Sequence, residues 1–308
     1  MENTSYSAPD YFNIEELLTE EHRLIRNTAR EWALRNISPI IENACQTCTF
    51  PKNIIPGLSQ IGAFGCFIPK QYTDLEFDQI SYGLIMQELE RIDSGIRSTA
   101  SVQSSLVMYP IWKFGTESQK SKYLQKLSKG EIMGCFGLTE PDYGSNPGGM
   151  KTNIKLNGND YILNGSKMWI SNAPFADIAL VWAKNEENRI TGVIVERGMK
   201  GFSTPETHNK WSLRASSTGE LVFNNVKIPK ENILTGKDGL GAPLECLDSA
   251  RYGIAWGAIG AAIDCYETAL KYSKERIQFG KPIASFQLQQ KKLAEMITEI
   301  SKAQIMTL

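Results

Sequence analysis

The sequence has few of the side chains on which most hydrolases and metalloenzymes depend. Its 308 residues include two histidines, His22 and His208, and neither has a partner at metal-ligand spacing. A zinc site or a histidine-based triad is therefore unfavourable, and no metal is expected. The sequence contains no Walker A motif, and Gly239-Leu-Gly241 lacks the third glycine of a dinucleotide-binding loop. The common sequence signals of zinc enzymes, histidine-based triads and nucleotide-binding loops are therefore missing.

Charge and hydropathy exclude two kinds of partner. The chain carries 33 Lys+Arg against 34 Asp+Glu, a net charge of −1, so a basic surface for a phosphate backbone is not expected. The longest apolar stretch, residues 253–263, is far shorter than the roughly 20 residues that span a bilayer. We therefore expect neither a nucleic-acid partner nor a membrane span.

The N-terminus and the cysteines favour a reducing compartment. The first 21 residues contain five glutamates, no arginine and no apolar run, which fits neither a secretory nor a transit peptide. The six cysteines are then expected to be reduced, and Cys45-Gln-Thr-Cys48 is interpreted as two structural thiols because no second pair accompanies it. We expect a cytoplasmic protein in preference to a mitochondrial one.

Hydrophobic periodicity divides the chain into three parts. Apolar residues recur at helical spacing up to about Gly130, after which the pattern alternates as in strands. Helix resumes at Pro243, taken as a first helical position, and runs to about Arg276 with glycines at 253, 257 and 260 along one side. Such glycines let backbones approach closely. The expected fold is α+β, with an N-terminal α-helical domain (1–134), a middle β-barrel-like domain (135–238) and an incomplete C-terminal helical bundle (239–308).

Local motifs make finer predictions. A helix is expected from Ser98 to about Phe114, and Thr116 with a glutamine three residues later forms a capping box for the next helix. Asn157-Gly158 and Asn164-Gly165 flank a short apolar segment, and such pairs supply the positive φ of tight hairpins. We therefore expect a short strand with a turn at each end.

Three features could carry chemistry. Residues 136–145 combine glycines, a proline and short hydroxyls, so this loop could approach a flat polar ring closely or could simply be a turn between domains. Arg97 follows Asp93 by four residues and could form a surface pair with it or bind a ligand. Arg251 follows Asp248 by three on an otherwise apolar helix, which indicates either a buried pair or a ligand contact.

Together these segments resemble the acyl-CoA dehydrogenases. The general marks are Gly137-Leu-Thr-Glu-Pro-Asp-Tyr-Gly-Ser145, Asn164-Gly-Ser-Lys-Met-Trp-Ile-Ser-Asn172 and Arg276-Ile-Gln-Phe-Gly-Lys-Pro282. Narrower marks at residues 89–98, 101–108 and 250–257 are similar to the branch of the family that acts on glutaryl-CoA. The resemblance extends from about residue 10 to residue 308.

The resemblance implies FAD as cofactor. The loop 136–145 would line the flavin, and residues 169–171 would cover its other side. Ser171 stands where the family usually has threonine; it keeps the hydroxyl donor but loses the methyl group that fixes the rotamer. The C-terminal part would reach the FAD of a neighbouring subunit. The implied FAD contacts are Phe136, Leu138, Thr139, Gly144, Ser145, Trp169, Ile170, Ser171, Arg276, Gln278, Phe279 and Gln287.

The resemblance also implies a dicarboxylic acyl-CoA as substrate. Arg97 and Ser98 match positions that bind the distal carboxylate, and a planar guanidinium suits a carboxylate bidentately. Glu90 matches an acidic position that would orient Arg97 or influence decarboxylation. The implied substrate contacts are Glu90, Arg97, Ser98, Ser145, Leu244, Asp248 and Arg251.

The implied reaction is α,β-dehydrogenation of glutaryl-CoA with loss of CO2 to give crotonyl-CoA. The family further implies a homotetramer that passes electrons to electron transfer flavoprotein. The alternatives are a dehydrogenase or oxidase of another acyl chain, or a non-catalytic FAD- or acyl-CoA-binding protein.

The catalytic base of this branch is a glutamate in a Tyr-Glu-Gly-Thr segment, which does not occur in these residues. Other relatives place the base just before the long-helix arginine, where this chain has Ala250. The resemblance gives Glu140 no such role. Because residues 288–308 read as a helix without Gly, Asn or Pro to end it, we expect the base beyond Leu308.

Overall fold

The computed structural model describes residues 12–308, so residues 1–11 of the expected N-terminal domain lie outside the described residues. The N-terminal part consists of helices, and its α4 is the central one, because all its residues from Ser81 to Glu90 are buried. α4 packs against two helices, α1 (Glu20–Asn36) near the N-terminus and the long α8 (Gly241–Glu275) in the C-terminal part. The helices of this part, with α8, are α1 (Glu20–Asn36), α2 (Ser38–Thr47), α3 (Ile55–Gln60), α4 (Gln79–Glu90), α5 (Ser94–Ser101), α6 (Tyr109–Phe114), α7 (Glu117–Ser128) and α8 (Gly241–Glu275).

The helix predicted from Ser98 to Phe114 begins earlier, and its middle part is π-helical instead of α-helical. α5 starts at Ser94, where the Asp93 carboxylate accepts hydrogen bonds from the Gly95 and Ile96 N–H groups. Between α5 and α6 the chain forms a π-helical segment, Val102–Met108. Segments of this kind are rare and often mark functional sites.

Three polar residues of the π-helical segment are buried and hydrogen-bonded. The Gln103 amide donates to the Leu127 and Ile132 carbonyl oxygens and accepts from the Gly134 N–H at 2.9 Å. The Ser104 hydroxyl donates to the Ala63 carbonyl oxygen and accepts from the Gly65 N–H. The third residue, Ser105, is hydrogen-bonded through its hydroxyl to the Tyr82 hydroxyl at 3.0 Å. These bonds fix the segment against the start of the sheet, since buried polar groups are costly unless paired.

The capping box at Thr116 is confirmed. The Thr116 hydroxyl accepts from the Gln119 N–H at 3.2 Å, and the Gln119 amide oxygen accepts from the Thr116 N–H at 2.8 Å. The side-chain amide nitrogen of Gln119 donates to the carbonyl oxygens of Glu231 and Ile233. The cap of α7 therefore also ties the helical part to the middle of the chain.

The middle of the chain forms one seven-stranded sheet. Strand β4 pairs with β1 in parallel and with β5 antiparallel, and its last residue, Lys184, pairs with Asn153 of β2. This last contact joins the two halves of the sheet, of which the second has the order β2-β3-β7-β6. The strands are β1 (Gly134–Gly137), β2 (Asn153–Asn157), β3 (Asp160–Ser171), β4 (Ile178–Lys184), β5 (Ile190–Glu196), β6 (Phe202–Ser203) and β7 (Thr218–Pro229). The predicted α+β arrangement of helices, sheet and helices is confirmed.

One of the two predicted hairpin turns is present and the other is wrong. Asn157-Gly158 closes the antiparallel pair β2–β3, with Gly158 at φ +66°. At Asn164-Gly165, however, β3 runs on, and its pairing with β7 shifts register between Leu163 and Gly165. Gly165 has φ +138°, and a Cβ there would lie 2.6 Å from the Thr152 Cα. The second pair therefore makes a bulge inside a long strand.

The C-terminal part packs α8 closely on α4. Helix begins at Gly241, so Pro243 is its third residue and not its first. A Cβ at Gly253 would lie 2.9 Å from the Tyr82 hydroxyl oxygen, and one at Gly260 would overlap the Gln87 carbonyl oxygen. The predicted close approach along these glycines is confirmed.

After α8 the chain turns through a two-stranded hairpin into the last helix. The hairpin consists of β8 (Ile277–Gln278) and β9 (Lys281–Pro282), and α9 covers Gln287–Thr307. α9 packs on α8 through a small apolar cluster that includes Ile263, Tyr266 and Ile300. None of the helices between residues 12 and 308 combines the length and the hydropathy that crossing a bilayer requires.

Replacement of Gly260 by alanine tests the close packing of α8 on α4. Gly260→Ala should lower the free energy of unfolding by about 1–3 kcal/mol, the usual cost of overpacking. Gly241→Ala is the matched control, because the nearest atom to a Cβ there is the end of the Lys237 side chain at 3.6 Å. It should change stability by less than about 0.5 kcal/mol. Urea unfolding followed by far-ultraviolet circular dichroism measures both, and equal effects would contradict the packing.

Candidate active site

A cavity of about 380 Å³ lies between the π-helical segment, the loop after β1, the end of β3 and the start of α8. It brings together ten of the residues predicted to contact cofactor or substrate: Phe136, Leu138, Thr139, Gly144, Ser145, Trp169, Ile170, Ser171, Leu244 and Arg251. Val102, Leu106, Pro147 and Leu247 complete the lining. These four residues were not predicted from the sequence.

Val102 and Leu106 enter the cavity wall because of the π-helical segment that carries them. The only local signal for them is the polar run Gln103-Ser-Ser105 between two apolar residues. The polar side chains turn toward the sheet and the N-terminal helices, where they are bonded. Val102 and Leu106, the apolar residues on either side of this run, line the cavity.

A buried ion pair between Lys167 and Glu140 fixes the loop after β1. The Lys167 side chain has no solvent exposure, and its ammonium group donates to the Leu138 carbonyl oxygen at 3.0 Å and to the Glu140 carboxylate at 2.9 Å. The Glu140 carboxylate also accepts from the N–H groups of Lys151 and Thr152. The loop backbone on either side of Thr139 is thus fixed at two points.

The protonation states of this pair follow from burial and from mutual attraction. Burial lowers the pKa of Lys167 to about 8, against the opposing effect of Glu140. Burial also acts to raise the pKa of Glu140, but the donors at Lys151, Thr152 and Lys167 outweigh it and hold that pKa below its usual value. Glu140 is therefore an ionised, fully engaged carboxylate, which agrees with its not being assigned as a base.

The opposite wall is formed by an irregular end of β3. Trp169 has φ +61°, an uncommon conformation for a bulky residue, and 59% of its surface is exposed. The pairing with β7 shifts register between Lys167 and Ile170, and the Met168 N–H donates to the Thr139 carbonyl oxygen at 2.9 Å. The bulge turns Trp169 out of the sheet beside the cavity. Backbone strain of this kind is typical of functional sites.

Asn172 anchors the end of this wall. Its amide oxygen accepts from the Thr99 hydroxyl of α5, and its amide nitrogen donates to the Gly134 carbonyl oxygen. Its backbone N–H donates to the Ser217 carbonyl oxygen at 2.8 Å. One buried side chain therefore links β3, β1 and α5, a positioning role that its place at the end of a motif did not reveal.

The cavity offers free hydrogen-bonding groups between apolar walls. The hydroxyls of Thr139, Ser145 and Ser171 line it, and none has a hydrogen-bond partner among residues 12–308. Phe136 and Ile170 contribute buried apolar surface. A flat, largely apolar ring with a polar edge, such as an isoalloxazine, suits this set of groups.

Arg97 lies outside this cavity lining, and its partner is not the one expected for a surface pair. The Arg97 Nε donates to the Glu90 carboxylate, and the two side chains are only 12% and 7% exposed. The alternative pairing with Asp93 is wrong, because that carboxylate caps the N-terminus of α5. A Cβ at Gly257 would lie 2.7 Å from the Glu90 Oε2, so the glycine makes room for the pair.

Arg251 and Asp248 form an ion pair at the rim of the cavity. Their side chains are 64% and 70% exposed, so of the two alternatives the buried pair is wrong. Arg251 lines the cavity and Asp248 does not. A guanidinium at the rim remains available to a ligand because an exposed pair is weak.

The predicted FAD contacts of the C-terminal part lie elsewhere. Arg276, Gln278 and Phe279 belong to the β8–β9 hairpin, and Gln287 begins α9. None of them lines the 380 Å³ cavity. Phe279 is 91% exposed, which is unusual for an aromatic side chain.

Comparisons with known proteins match most of the described chain. The models of the acyl-CoA dehydrogenase N-terminal, middle and C-terminal domains match residues 19–131, 135–226 and 237–308. The probable acyl-CoA dehydrogenase YngJ of Bacillus subtilis is 37% identical over 299 residues, which cover 94% of this chain and 78% of that protein.

Two further proteins illustrate the range of similarity. The short-chain specific acyl-CoA dehydrogenase of Clostridium acetobutylicum is 37% identical over 292 residues, covering 93% of this chain and 77% of that protein. A glutaryl-CoA dehydrogenase from Mycobacterium smegmatis, solved in complex with FADH2, has a TM-score of 0.94 at 43% identity, covering 96% of this chain and 76% of that one.

The fold and the cavity define a flavin-dependent oxidoreductase. The chain belongs to the acyl-CoA dehydrogenase family. FAD is its cofactor and an acyl-CoA is its class of substrate.

Removal of the Lys167 charge tests its role under the loop. Lys167→Met leaves the Glu140 carboxylate buried without its cation, so the free energy of unfolding should fall by about 3–5 kcal/mol. FAD affinity, measured by quenching of flavin fluorescence, should fall as well because the loop after β1 loses an anchor. Lys155→Met on the exposed side of β2 is the control and should change neither quantity.

The double variant Lys167→Met/Glu140→Gln separates the charge from the packing. Because it removes both charges, it should regain most of the stability lost in Lys167→Met. Equal losses in the single and double variants would contradict an electrostatic role.

Proposed function

We propose that this protein is a glutaryl-CoA dehydrogenase, which oxidises the acyl chain between its α and β carbons and releases CO2 to form crotonyl-CoA. The observation that carries the proposal is the buried Arg97–Glu90 pair against Gly257. A buried guanidinium on the helix that leads into the cavity wall is suited to the distal carboxylate of a dicarboxylic acyl chain. Similarity to a glutaryl-CoA dehydrogenase of Mycobacterium smegmatis supports it.

The residues of the cavity divide into cofactor and substrate contacts. FAD supplies the acceptor for the hydride that leaves the β carbon. Thr139 and Ser171 offer hydroxyl donors to the polar edge of the ring, and Trp169 covers one side. Ser145 and the Arg251 guanidinium face the acyl-CoA. A guanidinium at an open rim suits the phosphate groups of the CoA moiety.

Arg97 would exchange part of its bond with Glu90 for the substrate carboxylate. Its guanidinium has five N–H donors, and the described contact with Glu90 uses Nε. The terminal nitrogens are then free for a second carboxylate, while Ser98 adds a hydroxyl on the next residue. When no substrate is bound, Glu90 keeps the Arg97 guanidinium oriented.

Removal of the α-proton needs a base that we do not assign among residues 12–308. Glu140 is held by three donors, and Glu90 is held by Arg97. The glutaryl-CoA branch of the family uses as base a glutamate in a Tyr-Glu-Gly-Thr segment, which residues 12–308 do not contain. Hydrogen bonds to the thioester oxygen would acidify the α-proton and let a modest base succeed.

We further propose a homotetramer in the cytoplasm that passes its electrons to electron transfer flavoprotein. The exposed Ile277 and Phe279 of the β8–β9 hairpin support an intersubunit contact, because an apolar tip of this kind is typical of an interface. In such a contact Arg276, Gln278 and Gln287 would reach the FAD of the neighbouring subunit.

A second candidate substrate is a short acyl-CoA without a distal carboxylate. The Arg97 charge is already neutralised by Glu90, so an uncharged acyl end would not leave a buried cation unpaired. Val102, Leu106, Leu244 and Leu247 give the cavity an apolar lining that suits such a chain. The short-chain specific relative of Clostridium acetobutylicum favours this alternative. A non-catalytic role in binding FAD or acyl-CoA is the third possibility.

Replacement of Arg97 separates the two substrates. Arg97→Met should weaken the binding of glutaryl-CoA about 100-fold, because a charge-assisted bond worth about 1.5–3 kcal/mol is lost and the substrate carboxylate then faces Glu90. The dissociation constant of butyryl-CoA should change less than about threefold. Titration into the FAD-loaded protein, followed by the flavin absorption spectrum, measures binding independently of turnover.

The control is Arg189→Met, which removes an arginine that is 65% exposed at the end of the β4–β5 turn. It should leave both affinities unchanged. If wild-type protein bound butyryl-CoA more tightly than glutaryl-CoA and Arg97→Met affected both alike, the short-chain alternative would be preferred.

A further inference from the structure

A second cavity, of about 540 Å³, lies at the seam between α2 and the middle domain. Its walls are the end of α2 with the residues that follow it (47–50 and 52), the turn at Pro174-Phe175, and residues 206–210 and 216–217 between β6 and β7. It shares no lining residue with the active-site cavity. The reaction proposed above uses none of its side chains.

Two serines in the wall of this cavity have hydroxyls that open onto it and have no partner among residues 12–308. Ser216 is 2% exposed and Ser217 is 7% exposed. Neither hydroxyl makes a hydrogen bond within the described part of the chain, although their backbone groups are bonded. Because both residues are largely covered elsewhere and line the cavity, their hydroxyls are available there to a polar ligand.

The charges around the cavity favour an anion. The Lys52 ammonium lies 5.2 Å from the Phe175 ring centroid and forms no ion pair among residues 12–308. Lys210 adds a second positive charge, and its ammonium group donates to the carbonyl oxygens of Leu213 and Ser216. The opposing charge at the cavity is the exposed carboxylate of Glu206, while the ring of His208 can add a further donor.

The shape and remaining surface define the ligand further. Phe50 and Phe175 stack with ring centroids 5.2 Å apart and form an apolar side of the cavity. Thr207 and the two serines contribute three hydroxyl-bearing residues to the lining, which suits the several oxygens of a tetrahedral group better than a single polar atom. The volume exceeds that needed for one oxyanion alone, so a small organic body on the anion is also accommodated.

We propose that this cavity binds a phosphate group, free or carried on a small molecule, through Lys52 and the hydroxyls of Ser216 and Ser217. The site is next to the active site without being part of it. The Ser217 carbonyl oxygen accepts from the Asn172 N–H, directly after Ser171. A Cβ at Gly95 of α5 would lie 2.8 Å from the Ser216 nitrogen. The occupant therefore lies beside the two elements that carry Arg97 and Ser171.

Calorimetric titration of the FAD-loaded protein with inorganic phosphate tests the site, at ionic strength matched with sodium chloride. We expect saturable binding that Lys52→Met and Ser217→Ala each weaken about fivefold or more, the effect of one lost hydrogen bond or charge contact. Lys155→Met, on the far exposed β2, should bind phosphate as the wild type does. Hydrogen exchange of residues 206–217 should slow when phosphate is added.

Further titrations distinguish free phosphate from a phosphorylated molecule and test whether the ion binds in this cavity. Glycerol 3-phosphate that binds more tightly than phosphate would indicate a phosphorylated molecule, and equal affinities would indicate the free ion. Binding that survives in the double variant Lys52→Met/Ser217→Ala, or that saturating CoA abolishes, would overturn the proposal, because the ion would then occupy another site. An absence of saturable binding to the wild type would overturn it as well.

Discussion

The active-site cavity depends on one buried ion pair, Lys167 with Glu140. A buried lysine is costly unless its charge is paired and its donors are used, and here the ammonium group meets a carboxylate and a carbonyl oxygen. The carboxylate in turn accepts from two backbone N–H groups of the segment that leads into β2. The pair therefore joins the loop after β1 to the irregular end of β3. These are the two walls between which a flavin ring would lie.

The rest of the site follows from how the helices meet this sheet. The glycines of α8 let it approach α4, and the position opposite Gly257 is filled by the Arg97–Glu90 pair. Gln103 and Asn172 connect the helical part to the first strand from opposite directions. Because each bond is buried, a shift of the helices relative to the sheet would leave several polar groups unpaired at once. The predicted substrate and cofactor contacts are thus held in one frame.

Features that depend on neighbouring residues were predictable from the sequence. The Thr116 capping box, the Asn157-Gly158 turn and the glycine side of α8 each reflect a local rule of backbone geometry or sterics. Features that depend on register were not. Asn164-Gly165 has the composition of a hairpin turn, but its place opposite β7 makes it a bulge. The π-helical segment likewise has no composition that distinguishes it from an α-helix, and its polar residues make sense only against the sheet.

The sequence by itself determined the family, the cofactor and the order of helices and sheet, because motifs and periodicity are properties of short segments. Tertiary structure decided which charges meet. Arg97 is four residues from Asp93 and seven from Glu90, yet it pairs with Glu90, because the chain turns between α4 and α5 and Asp93 is used to cap that turn. For Arg251 the sequence left a buried pair and a ligand contact open, and the structure places it exposed at the cavity rim, because solvent access depends on what packs across the helix and not on the residues beside it.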